Sequence, residues 1–446
     1  MAAIVENVMG WRPGGVNTVA SAASLSPAVD YDGEDRISAL PDDLLRSIVS
    51  RLPVKDAART ASLASRWRHL WRSTPLSLND ADLPRSVVAR ALADHPGPFR
   101  AIHITRCRFA SHEREIAEWP RLFAANGIQH LVLVNDADLA RFPPPPPTPC
   151  ASPRTSSAAP HSSASSWVSS RSRTPLVSPA EPTPVLEKLA FVLSCTPDFI
   201  HLRSRSLRCV LLWIFMADEV AVVDAPLLER LFLLEAPRGG HAESTMMIKI
   251  AHAPNLQVLG FLEPGFHRLQ IGDNVIEPGK KPSPSAVLPS VKILAFKVNF
   301  GVIEHVKMLV AYLRCFPNIE TLHIESLTEP TGRNHAKFWH ELSTIECIKS
   351  HVKKMVIHEY KGNKVELEFL KFISTSAQEL QALYVLLNRE SLTSVAKADK
   401  MTSKLVALSG VPWSCDCKMM VVGPKFQNDW SIQKASDLTV DDPFHW

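Results

Sequence analysis

The chain has 446 residues, with 49 Lys and Arg against 45 Asp and Glu, a formal net charge of +4 and 46% hydrophobic residues. That length suits roughly three domains of about 150 residues or one long repeat array, and the apolar share excludes wholesale disorder. It holds 35 prolines but only 17 glycines, where average usage is roughly 5% and 7%; collagen-like sequence is excluded and Gly-rich phosphate loops are disfavoured. The densest basic run, Arg203 to Arg208, is short and interrupted by serines. It fits a solvated turn better than a nucleic-acid patch, which needs clustered charge.

Eight cysteines stand at 107, 150, 195, 209, 315, 347, 415 and 417. They form no C-x-x-C pair, and Cys415 with Cys417 lacks the second half of a zinc site. Free thiols in a reducing compartment are expected. The N-terminus lacks the basic-then-apolar pattern of a secretory signal. The longest uncharged apolar run, Cys209 to Ala217, has nine residues, where a membrane span needs about twenty. A soluble cytoplasmic or nuclear protein with no membrane partner is the expectation.

Residues 1–34 mix Ala, Ser, Val and Gly without periodicity and are read as a flexible leader. A helical unit is predicted over 35–78. Pro41 suits the first position of a helix, and Asp42 and Asp43 favour its positive end. Leu44, Leu45, Ile48, Val49 and Leu52 then form one apolar face, and Pro53 ends the helix. A second helix is predicted from about Lys55, with Ala57, Ala61, Ala64, Trp67 and Trp71 as its stripe. So few residues cannot bury that many large apolar groups, so another domain or another protein must cover the surplus.

The stretch DRISALPDDLLRSIVSRLPVKDAARTASLASRWRHLWRS resembles the F-box of plant proteins. The opening is Leu40, Pro41, Leu44, Leu45 and Ile48, the closing step is Leu52 and Pro53, and the ending is Arg66, Trp67, Arg68, Leu70 and Trp71. Ala64 and Ser65 depart from the Ser and basic residue common there. The resemblance implies a helical hook docked on the Skp-type linker subunit of a Skp–cullin–F-box ubiquitin ligase. Leu40, Pro41, Leu44, Leu45, Ile48, Leu52, Pro53, Val54, Leu63, Trp67 and Trp71 are the candidate linker contacts. Some of them, Trp67 first, are expected to pack inside the hook.

Beyond residue 79 an apolar-x-x-apolar-x-apolar pattern recurs ten times, starting at Phe99, Ile128, Leu186, Leu207, Leu228, Leu256, Val291, Ile319, Val352 and Leu380. Five copies carry a proline two residues ahead (Pro184, Pro226, Pro254, Pro289 and Pro317), and the starts lie mostly 21 to 35 residues apart. That is the period of leucine-rich repeats: parallel strands entered at a proline that donates no ladder hydrogen bond, sharing a continuous core. The asparagine position of regular repeats is filled only by Asn299, so an irregular array is expected. The repeats are assigned to 79–142 and 185–335. Between them, residues 143–184 hold 12 of the 35 prolines and are expected to be disordered or polyproline-like. The flanking starts are 58 residues apart, room for one more repeat beginning near Ser157, so a lost repeat and an inserted linker fit the spacing equally.

Residues 336–390, with Cys347, Val352, Lys353, Lys354, Glu359, Gly362, Glu366, Leu370 and Phe372, resemble the FBD segment of plant F-box proteins. They predict strand, turn, amphipathic helix and strand. Residues 391–446 are read as an extension packing on the solenoid end. The fold class is therefore α/β: an N-terminal helical F-box, then an irregular leucine-rich-repeat solenoid with FBD-type terminal units.

The resemblance implies a substrate-recognition adaptor that binds the linker and cullin through the F-box and holds a target protein on the solenoid; a non-degradative scaffold on the linker is the alternative. Strand positions alternating with the core, Arg230, Phe232, Lys297, His323 and Glu325, are the candidate target contacts, unless they form a solvated sheet face. No G-x-S-x-G, H-E-x-x-H, P-loop or dinucleotide motif is present. No catalytic residue, metal or cofactor is assigned.

Overall fold

The computed structural model describes residues 37, 39–80, 83, 85–95, 97–107, 119, 122–123, 126–135, 186–194, 199–215, 217–234, 245–327, 336–389, 393–423 and 432–444. The expected leader and the 143–184 segment lie outside them.

The first helix, α1 (Asp42–Val49), starts one residue later than the proline pattern suggests. Pro41 is its cap, and its carbonyl takes the amides of Leu44 and Leu45, each at 3.1 Å. The predicted second helix is two: α2 (Val54–Arg59), a 3-10 turn over Thr60–Ser62, and α3 (Ser65–Ser73). The break is local competition. Thr60 Oγ1 donates to the Ala57 carbonyl at 2.6 Å and Ser62 Oγ to that of Arg59 at 2.8 Å, and Ala64 is extended.

The repeats build a twelve-stranded parallel sheet, interleaved with a smaller outer layer. The chain runs β1 (Leu76–Asn79), α4 (Arg85–Asp94), β2 (Phe99–Cys107), β3 (His130–Asn135), β4 (Lys188–Ser194), β5 (Phe199–Arg203), β6 (Cys209–Phe215), β7 (Glu219–Asp224) and β8 (Arg230–Leu234). It continues with β9 (Met246–Ile250), β10 (Val258–Leu262), β11 (His267–Ile271), β12 (Asn274–Val275), β13 (Ile293–Val298), α5 (Ile303–Leu313) and β14 (Thr321–Ser326). Then follow α6 (Ala336–Glu341), α7 (Glu346–Ser350), β15 (Lys354–Tyr360), α8 (Lys364–Ser376), β16 (Ala382–Leu387), α9 (Val395–Ser409), β17 (Lys418–Val422) and α10 (Ile432–Ser436). The long sheet is ordered β1-β2-β3-β4-β6-β8-β10-β13-β14-β15-β16-β17. β5, β7, β9, β11 and β12 form the second sheet, and helices take the outer layer on either side of it. This is the expected α/β solenoid.

All ten apolar triplets lead into strands of the long sheet, and their residues fill the core between the two layers. There is one exception. Phe261 lies on the opposite face, and Leu262 takes its place in the core. The pairing of β10 with β13 slips between Leu259 and Leu262, where Gly260 (φ +151°) approaches Ala295 so closely that a Cβ would lie 2.5 Å from the Ala295 Cβ.

Main-chain hydrogen bonds repeat as strictly as the side chains. The carbonyls of Gln129, Glu187, Arg208, Glu229, Gln257, Lys292, Glu320 and Lys353 each accept two successive amides that open the next strand. The irregularity expected from missing ladder asparagines is offset by a different stitch. Asn255 and Asn318, one residue after their prolines, donate to the carbonyls of Pro226 and Pro289, one repeat earlier, at 2.8 and 2.9 Å. Asn299 turns locally, accepting from the Gly301 amide at 2.9 Å. Across the Pro/Ser-rich segment, β3 pairs with β4 in register, His130 to Lys188, and the Gln129 carbonyl takes the amides of Glu187 and Lys188 at 2.8 and 3.0 Å. The array closes there without the extra repeat its spacing allows.

In the FBD-like part, Asn363 and Glu366 form a capping box at the start of α8. Glu366 is buried; it accepts from the Asn363 amide at 2.7 Å and from Ser326 Oγ at 2.5 Å. Burial raises its carboxyl above the usual range despite those bonds.

Two stability effects are expected in urea titrations. Gly260→Ala forces a methyl into the Ala295 backbone and costs about 2–4 kcal/mol. Asn318→Ala removes one inter-repeat bond and costs about 1 kcal/mol.

Candidate protein-interaction faces

The helical unit sorts its apolar residues onto two sides. Leu45, Val49, Val54, Ala57, Trp67 and Leu70 are buried in one core with β1 and β2. Leu40, Leu52 and Trp71 are half-buried against it, Trp71 stacking on His95 with ring centroids 5.2 Å apart. A parallel bridge from Pro53 to Ser77 joins the unit to β1. Arg66 fastens the entrance by donating to Asp42 Oδ1 and the Leu40 carbonyl, both at 2.8 Å. What remains outside is Leu44 (52% exposed), Ile48 (43%) and Leu63 (66%), with Pro41 and Pro53 also exposed. Ile37, which the sequence pattern did not single out, is 60% exposed.

The spacing of α1 explains the sorting. Leu44 and Ile48 lie four apart on one stripe and Leu45 and Val49 on the next, so one short helix presents an apolar row to the core and another to solvent. Thus Leu45, Val54 and Trp67 belong to the hook's own packing, while Leu44, Ile48 and Leu63 are free for a partner.

The second face is the side of the long sheet turned away from the layered core. Arg230, Phe232, Lys297, His323 and Glu325 lie there as the alternation requires, but the face is not solvated. Four of the five are buried (Arg230 5%, Phe232 0%, Lys297 7%, His323 0%) and Glu325 is half-buried. The reason is the chain's own end. In the C-terminal part, β17 pairs with β16 at the end of the long sheet, and residues 432–444 cross the sheet face. Ile432, Ala435 and Phe444 join an apolar cluster with Phe232, Phe261, Val258 and Ala295.

Three anchors hold this segment. Arg230 donates to the carbonyls of Ala435 and Asp437, both at 2.9 Å, and of Val440 at 2.5 Å. Phe444 sits among the rings of Phe232, Phe261 and His323, with centroids at 5.4, 5.0 and 5.3 Å. Asp442 lies 3.1 and 3.2 Å from His323 Nε2 and accepts from Lys354 Nζ at 2.8 Å. His323 Nδ1 is 3.0 Å from His358 Nε2. Beside them, Lys297 pairs with Glu325 at 3.2 Å and lies over the Phe261 ring.

Burial alone would raise Asp442, but the hydrogen bonds and charges of His323 and Lys354 outweigh it and hold the carboxyl well below its ordinary value. Burial, reinforced by His323, pushes His358 well below the ordinary imidazole value. His323 and His358 are buried and Asp442 is half-buried, and each is held by the others or by Lys354. Among the described residues no cluster of His, Cys, Asp and Glu could hold a metal, and no helix is long and apolar enough to cross a membrane.

Both shifts have the same sign for stability. An acid or base whose value falls on folding leaves the unfolded chain holding more protons, so stability is lost as pH falls. Folding stability is expected to fall below about pH 6.5 through His358, where unfolded histidine charges. Docking of residues 432–444 is expected to be complete at pH 7 and to weaken below about 4 through Asp442, where free carboxyls protonate. Hydrogen exchange of the Val440 and Phe444 amides across pH 7 to 3 checks the docking loss. Asp442→Asn should cost about 1–3 kcal/mol at neutral pH.

Comparison with known proteins follows the same partition. An F-box domain model matches residues 37–79, the leucine-rich repeats of the FBD-associated F-box protein At5g56370 match 181–324, and an FBD model matches 340–384. Similar proteins from Arabidopsis thaliana include F-box/FBD/LRR-repeat protein At5g22660, 51% identical over 55 residues (12% of each chain). F-box/LRR-repeat protein At3g03360 is 32% identical over 143 residues (30% of each), and F-box/FBD/LRR-repeat protein At5g56420 is 39% identical over 98 residues (20% of this chain, 23% of that one). The matched stretches thus span about an eighth to a third of these relatives. No solved structure matches. An exposed apolar stripe on N-terminal helices, a parallel repeat sheet and a capped strand–helix–strand unit therefore carry, in that order, an F-box, leucine-rich repeats and an FBD, the domain set of the plant F-box/FBD/LRR-repeat proteins.

Proposed function

We propose that the protein is a substrate-recognition adaptor of a Skp–cullin–F-box ubiquitin ligase, acting in the cytoplasm or nucleus. The observation that carries the reading is the outward row of Leu44 and Ile48 on a helix whose other side is committed to the solenoid core, with Leu63 also exposed in the turn ahead of α3. Large apolar anchors dominate such interfaces, and here they are held by a rigid support rather than by the partner. The linker subunit covers this stripe, and the cullin is reached through the linker. The solenoid holds a target protein and raises its effective concentration near the ubiquitin-carrying enzyme. The chain itself performs no chemistry.

The structure decides which variants test the interface. Leu44→Ala with Ile48→Ala truncates exposed side chains; stability should change by no more than about 0.5 kcal/mol per site, while linker binding falls at least about tenfold. Leu45→Ala hollows the core and should cost about 2–5 kcal/mol, reporting on folding instead. Co-purification with the linker and cullin subunits, set beside thermal melts, separates the two. Wild-type chain that fails to associate overturns the adaptor reading. Association without ubiquitination of any bound protein favours a scaffold on the linker subunit.

A further inference from the structure

We infer that the free face of the repeat sheet is a binding site for a target segment carrying a carboxylate two residues before an aromatic ring, and that residues 432–444 occupy it as a built-in stand-in. This rests on the adaptor reading and names the class of segment such a target would present.

Three features separate this site from ordinary tail packing. Arg230, on β8 in the middle of the sheet, spends its guanidinium on three main-chain carbonyls of the segment. That recognises a chain path, not a side chain, and any segment following the same path can satisfy it. The two side-chain requirements are then few and close together: a carboxylate for His323 and Lys354, and a ring for the box of Phe232, Phe261 and His323. The segment also shapes itself. The Asp437 carboxylate accepts from the Thr439 amide at 3.0 Å and from Thr439 Oγ1 at 2.7 Å, and Asp442 Oδ1 accepts from the Phe444 amide at 3.2 Å. Its bound form is therefore encoded in a few neighbouring residues, which another protein can carry.

The charge balance fits the same partner. Removing the segment would bare Arg230, His323 and Lys354 beside buried aromatic rings, a groove matched by a segment that brings carbonyls to Arg230, a carboxylate to His323 and Lys354, and a ring to the aromatic box. Tethering sets the threshold. A segment on the same chain acts at an effective concentration of the order of millimolar, so a target gains the site by binding more tightly or by adding contacts elsewhere on the sheet.

The test uses the full chain in complex with the linker subunit and a fluorescent peptide of residues 432–446 added in trans. Anisotropy should show weak binding to the wild type and at least tenfold tighter binding to Asp442→Asn/Phe444→Ala, whose own segment is weakened. Adding Arg230→Ala to that variant should lose the gain. Peptide carrying the same two substitutions should bind at least tenfold more weakly, whereas one keeping only the Asp-Pro-Phe core and its path-setting turn, with other positions replaced by Gly and Ser, should retain binding.

Peptide that binds no variant overturns the proposal, as does a Gly/Ser-substituted peptide that does not bind while the native one does, since the face is then only the tail's own seat. Should the double variant misfold, hydrogen exchange on the wild type decides. Millimolar peptide should deprotect the chain's own residues 432–444 while β8 and β14 stay protected, and unchanged exchange overturns the proposal. Failure here with intact linker binding leaves the adaptor reading standing. Peptide binding without linker association does the reverse.

Discussion

One constraint runs through the molecule: the carbonyl just ahead of each strand accepts the two amides that open the next strand. Eight such junctions in succession, from Gln129 to Lys353, lock neighbouring repeats into one register. In a parallel ladder a slip of one residue turns every side chain to the other face. The junctions therefore determine not only the sheet but which residues are core and which are surface. Leu231 and Leu233 lie inside, and Arg230 and Phe232 outside, because the Arg208 carbonyl holds the amides of Glu229 and Arg230.

Much of this was legible in the amino-acid pattern. The apolar triplets located ten of the twelve strands, because a buried layer must be filled by large aliphatic groups at fixed spacing. The prolines located strand entrances, since each described one lies four residues before its strand begins. The failures are equally physical. Phe261 fits the triplet but leaves the core, because pattern cannot show that Gly260 meets Ala295 and shifts the register. The break at Ala64 depends on Thr60 and Ser62 bonding back to the backbone, which an apolar stripe does not reveal.

The interaction faces were legible only in part. The F-box anchors could be read, but dividing Leu44 and Ile48 from Leu45 and Trp67 required knowing where β1 and β2 lie. On the sheet, alternation selected Arg230, Phe232, Lys297, His323 and Glu325 correctly for their face. What it missed was long-range: Arg230 meets Val440 across 210 positions of sequence and His323 meets Asp442 across 119. The short run from Asp437 to Phe444 carries no repeat and little hydrophobicity. Its own turn-forming Asp437 and Asp442 were the available signal, and they pointed to local order without saying where that order docks.

The bridge from Pro53 to Ser77 turns the molecule into a ruler. Because the helices share a core with β1, the edge of the sheet is fixed relative to the exposed stripe on α1, and each further strand adds about 4.8 Å along the ladder. Helix α10 packs on β6, the fifth strand of the order, and Asp442 meets Lys354 on the tenth. The covered stretch of the face therefore reaches at least from roughly 20 Å to roughly 45 Å along the ladder from the first strand. Anything seated there is carried at a set distance and attitude from the helices, so insertion or deletion of one repeat would move it in whole steps rather than by flexing.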